Sequence, residues 1–173
     1  MNRIAMAMTF ALALAFAGTT LARQAQGPPP AEAWRTFEGT WSAAGQRQTL
    51  PTEGAQPAAI VRLSGAVVLT GGAGLSRGFR GEAIAFDDGR SVSAGRAVWT
   101  DERGDRIFIE LKGEPYQSGR RIAGTITGGT GRYAGMTGDL AFTWKYVVAG
   151  EAGEVQGLAV GLKGRFRTAE ALR

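Results

Sequence analysis

From Trp34 to Arg167 the chain holds eight short segments with a two-residue alternation, separated by Gly- and Asp-rich turns, and almost no helical period. In order they are "TFEGTWSAAGQRQTL", "AIVRLSGAVVLTG", "LSRGFRGEAIAFDD", "SVSAGRAVWT", "RIFIELKG", "RRIAGTIT", "GDLAFTWKYVV" and "EVQGLAVGLKGRFR". Ala44-Gly45 predicts a break in the first, and Asp88-Gly89 a hairpin turn after the third. Successive antiparallel strands with short links expose two edges unless the sheet closes on itself. The expectation is therefore all-β: an eight-stranded antiparallel β-barrel, lipocalin-like in shape, with a β-sandwich as the alternative. Gly65, Gly81, Gly95, Gly124, Gly157 and Gly161 fall inside the strands, as a tightly coiled wall requires.

What flanks the strands speaks to the compartment. Arg3 followed by the apolar run Ile4 to Ala17 and by Thr20-Leu21-Ala22 has the pattern of a cleaved signal peptide, residues 1–22. The run is shorter than the roughly 20 residues a membrane-spanning helix needs. Residues 23–33, "RQAQGPPPAEA", read as a flexible Pro-rich linker. The barrel domain is expected over 34–168, with a short tail at 169–173. The expected localisation is export, periplasmic or extracellular.

Composition removes most chemistry. The 173 residues include no His and no Cys. A Ser-His-Asp triad, a Cys-His pair and the usual zinc sites are therefore out of reach. Asp87-Asp88-Gly89 is the densest acidic group, and its place predicts a turn and no metal. The net charge is +5, with acidic and basic residues interspersed, and no nucleic-acid stripe emerges. An outer-membrane barrel would also follow a signal peptide. Only the seventh segment has the aromatic face that a lipid-facing band needs, so no stable membrane insertion is expected.

The stretch "GTITGGTGRYAGMTGDLAFTW", residues 124–144, has the glycine density of a phosphate loop. It lacks the Lys of a Walker loop, and a strand follows it where both nucleotide motifs need a helix. A strand-to-strand corner is the expectation, with Tyr133 capping one end of the core. "TITGGTGRYAGMTG" resembles the Gly-Gly-Thr/Ser-Gly-x-Tyr/Phe-x-x-x-x-Gly turn of the allene oxide cyclase barrel group, which includes the dirigent proteins. Gly128, Gly129, Thr130, Gly131, Tyr133 and Gly138 carry the resemblance. It implies an eight-stranded barrel with a hydrophobic central pocket, metal-free cyclase or coupling chemistry, and a homo-oligomer, often a trimer. No catalytic residue carries over, because nothing outside the turn aligns.

Side chains on alternate positions should line the pocket. Phe142, Trp144 and Tyr146 on the seventh segment are the candidate ligand-binding residues. Leu158, Val160, Leu162 and Phe166 on the eighth, and Ile107, Ile109 and Leu111 on the fifth, are expected to join them. Glu82 shares a face with Arg80, Ile84 and Phe86, and Arg96 with Val92 and Val98. If those faces turn inward, Glu82 and Arg96 are a buried pair and the candidate catalytic residues. The opposite assignment puts Gly81, Ala83 and Ala85 inside. Three functions follow: an exported barrel that binds a small hydrophobic molecule without a cofactor, a cofactor-free cyclase or isomerase using the same pocket, or a solid structural barrel.

Overall fold

A computed structural model describes residues 33–53, 57–91, 93–116 and 119–168. The expected signal peptide, all but the last residue of the expected linker, and the expected tail lie outside these residues. Eight strands run in sequence order: β1 (Arg35–Leu50), β2 (Ala58–Leu69), β3 (Gly78–Asp87), β4 (Ser93–Thr100), β5 (Arg106–Tyr116), β6 (Gly119–Gly129), β7 (Met136–Ala149) and β8 (Glu154–Thr168). Each pairs antiparallel with the next, and β8 pairs back to β1, so the sheet is a closed barrel. The β1 strand is continuous where Ala44-Gly45 predicted a break. Gly45 instead lets Arg62 approach, since a Cβ there would sit 1.8 Å from the Arg62 carbonyl oxygen.

Alternation puts one face of each strand inside, and the inside is apolar. Trp41, Val61, Val67, Trp99, Ile107, Ile109, Leu140, Phe142 and Trp144 are all buried. The outer wall carries charge: Arg62, Lys112, Lys145 and Lys163 are exposed, and Arg80–Glu82, Arg96–Glu110 and Arg165–Asp139 form ion pairs there. A barrel that spans lipid has the reverse arrangement, with an apolar band outside and a polar lumen.

The β3 face, open between two assignments in the sequence, is decided here, and the expected face of β8 is reversed over part of its length. On β3 the inward residues are Phe79, Gly81, Ala83 and Ala85, while Ile84 and Phe86 are about half exposed. On β8, Leu158 and Val160 face outward, and Val155 and Ala159 face inward. Leu162 and Phe166 are buried as expected because Gly161, at φ +66, adds a residue and switches the parity. A bulge of this kind needs a residue that tolerates positive φ.

One end of the barrel is solid. Phe37, Phe79, Trp99, Tyr133 and Phe166 fill it, with ring centroids 5.8–6.2 Å apart. The glycine-rich corner closes this end as a 3-10 turn over Gly131–Tyr133 between β6 and β7. Gly131 takes φ +52, and a Cβ there would lie 1.8 Å from Asp105 Oδ1. Thr130 Oγ1 accepts the Arg106 N–H at 2.9 Å, joining the corner to the start of β5.

Asp101, in the β4–β5 loop, is the hub of the seal. Its side chain has no solvent exposure. Oδ1 accepts the backbone N–H groups of Arg103 (2.8 Å) and Asp105 (3.0 Å). Oδ2 accepts Arg132 Nε (2.8 Å), Arg132 Nη2 (2.5 Å) and the Tyr133 hydroxyl (3.0 Å). Burial pushes this carboxyl upward, but the bonds from Arg132, Arg103, Tyr133 and Asp105 outweigh it and hold it below its ordinary 3.8. Burial raises the Tyr133 phenol to about 12, so it stays a donor to Asp101.

A folded pKa below the unfolded one contributes stability that is present above the unfolded value and lost as pH falls through the folded value. Asp101→Asn should therefore cost about 1–3 kcal/mol near neutrality, because Arg132 keeps only its Glu102 partner and the acceptor set is weakened. In denaturant titrations the gap between wild type and Asp101→Asn should stay constant above about pH 5 and shrink below about pH 4. A gap that is independent of pH would show that the carboxylate charge contributes nothing.

Candidate functional site

The other end is open because its inner residues are small. From the solid end, the inner face of β3 reads Phe79, Gly81, Ala83, Ala85, and that of β4 reads Trp99, Ala97, Gly95, Ser93. Bulk thus falls along both strands, and a funnel forms against the larger side chains of β1 and β7. Trp41, Val61, Leu63, Ala83, Ala85, Leu111, Ile122, Phe142 and Trp144 make its apolar wall. Asp87, Ser93, Arg120 and Tyr146 complete the lining.

The funnel is a cavity of about 70 Å³. That is room for several waters, each needing roughly 10–15 Å³. It falls short of the roughly 300 Å³ of a drug-sized pocket. A single ring or a short apolar tail fits the space; a long chain does not.

The three residues expected to bind ligand, Phe142, Trp144 and Tyr146, all line the funnel. Trp41 and Trp144 pack at 5.3 Å, Trp41 meets Phe142 edge-on at 6.1 Å, and Trp144 meets Tyr146 edge-on at 6.1 Å. Gly157 makes room for this stack, since a Cβ there would lie 2.5 Å from Trp144 Cζ2. Tyr146 stands at the rim, where burial raises its phenol above the ordinary value. Glu82 and Arg96 are not brought together. Both lie on the outer wall, Glu82 3.1 Å from Arg80 and Arg96 2.6 Å from Glu110.

The polar groups of the funnel are the unexpected part. Arg120 Nη2 donates to Asp87 Oδ2, joining the start of β6 to the end of β3. Asp87 Oδ1 meanwhile accepts the Gly89 N–H at 3.0 Å, so the Asp87–Gly89 segment is the turn expected of it. Trp41 Nε1 is buried without a hydrogen-bond partner against Gly81, and the Trp144 indole meets the Tyr146 hydroxyl at the rim. Arg120 Nη1, in the funnel lining, is also buried without a partner among the described residues. A buried donor left unpaired costs about 1–3 kcal/mol, so the free arm of Arg120 demands a reason.

The fold-motif residues sit at the far end from these groups. Gly128, Gly129, Thr130, Gly131, Tyr133 and Gly138 build the corner and line no part of the funnel. No family model matches the chain, and no curated protein matches it.

Floor and rim should separate in stability. Trp41 is 3% exposed, and Trp41→Ala should cost about 3–5 kcal/mol in chemical denaturation. Tyr146 is 40% exposed, and Tyr146→Ala should cost less than about 1 kcal/mol. Equal costs would mean that the funnel is as tightly filled at its mouth as at its floor.

Proposed function

We propose that this is an exported barrel that binds a small apolar molecule bearing a hydrogen-bond acceptor, with the ligand entering at the open end. The observation that carries the reading is an open apolar funnel, lined by Trp41, Phe142, Trp144 and Tyr146, with one arm of the Arg120 guanidinium buried and unpartnered in its wall. An acceptor on a bound ligand would satisfy what the protein leaves unsatisfied. The aromatic stack of Trp41, Phe142, Trp144 and Tyr146 gives such a ligand a flat surface.

Export rests on the leader-like pattern of residues 1–22. The charged outer wall supports a water-soluble barrel. The glycine corner supports kinship with the allene oxide cyclase and dirigent barrels. Binding is preferred to catalysis, because Glu82 and Arg96 point away from the pocket.

Calorimetric titration with single-ring compounds (phenol, benzamide and benzoate) tests the reading. At least one should bind saturably with a Kd of about 1 mM or tighter, as its size permits. Tyr146→Ala should weaken that binding several-fold, and Trp99→Phe at the solid end should leave it unchanged. Absence of saturable binding by all three up to about 10 mM would overturn the proposal.

A further inference from the structure

The funnel carries a charge that its apolar lining does not explain. Among the described residues, the charged side chains on inward strand positions at the open end are Arg47, Asp87 and Arg120. Arg120 and Asp87 neutralise each other and use only one arm of the guanidinium. Arg47 is left over. It follows Trp41, Ala43 and Gly45 in two-residue steps along the inner face of β1, opposite Val61 of the funnel wall. It is half-buried, and it makes no ion pair among the described residues. Its positive charge reaches the Tyr146 phenol at the rim.

These inward strand positions therefore carry a net charge of +1, from two arginines and one aspartate. They also have spare donors, in the Arg47 guanidinium and the free Nη1 of Arg120. An arginine fork matches a carboxylate in shape as well as in charge. We infer that the ligand is a small ring-bearing carboxylic acid, whose ring lies on Trp41, Phe142 and Trp144 and whose carboxylate is held at the mouth by Arg47 and the free arm of Arg120. A monoanion balances these inward-facing charges, and Asp87 repels anything more highly charged. The volume limits the apolar part to about one ring.

This inference rests on the binding reading above, and one pair of compounds separates the two. Benzoate and benzamide share ring and shape and differ in charge. Benzoate should bind at least about tenfold more tightly than benzamide at pH 7 in low salt. Arg47→Gln should abolish that preference by weakening benzoate at least about tenfold, and circular dichroism should show the variant folded. Equal binding of the two compounds, or a benzoate preference that survives Arg47→Gln, would overturn the inference and leave the binding reading standing. Failure of both to bind, and of phenol with them, would overturn the binding reading and this inference together.

Discussion

The inside of a closed eight-stranded barrel is narrow, and every second residue of every strand must share it. That constraint organises this molecule. Where β3 and β4 place Phe79 and Trp99 inward, the interior is full. Where they place Ala83, Ala85 and Ser93 inward, space remains. A gradient of side-chain volume along two neighbouring strands thus makes one end solid and the other receptive. The solid end is locked by polar as well as apolar contacts. Asp101 gathers the β4–β5 loop and the glycine corner onto one carboxylate, and that corner contributes nothing to the pocket.

Buried polar groups at the two ends follow opposite rules. At the solid end each oxygen of Asp101 is satisfied from within the protein. At the open end one arm of the Arg120 guanidinium has no partner among the described residues. An apolar residue of similar volume would pack as well at a position whose polar atom is never used. An unused donor beside an accessible aromatic surface is therefore the feature on which the binding proposal rests.

Much of the architecture is legible in the sequence. Strict alternation of Ile107, Ile109 and Leu111 marks the inner face of β5, and the same parity carries Phe142, Trp144 and Tyr146 to the funnel. The β8 strand misleads because Leu158, Val160 and Leu162 look like one face, whereas the bulge at Gly161 separates them. The β3 strand leaves its face open for a different reason. Its bulky apolar residues, Ile84 and Phe86, lie outside because the inner wall there is built from small ones. Hydrophobicity alone cannot reveal a face that is selected by volume. Arg47, Asp87 and Arg120 escape notice because they come from three separate strands. Parity counted from Phe37 and Trp41 would nevertheless have placed Arg47 inward. The Asp101–Tyr133 contact, 32 residues apart, has no local signal at all.

The four tryptophans report on the central claim from four different places. Trp41 and Trp144 line the funnel, Trp99 lies in the solid end, and Trp34 is on the outside beneath Arg165 and Arg167. Each indole N–H gives its own signal in a proton–nitrogen correlation spectrum of the labelled protein. On titration with benzoate the signals of Trp41 and Trp144 should move and saturate together, while those of Trp99 and Trp34 stay still. Saturable shifts confined to Trp34 or Trp99, or no saturable shift at any of the four, would contradict the account.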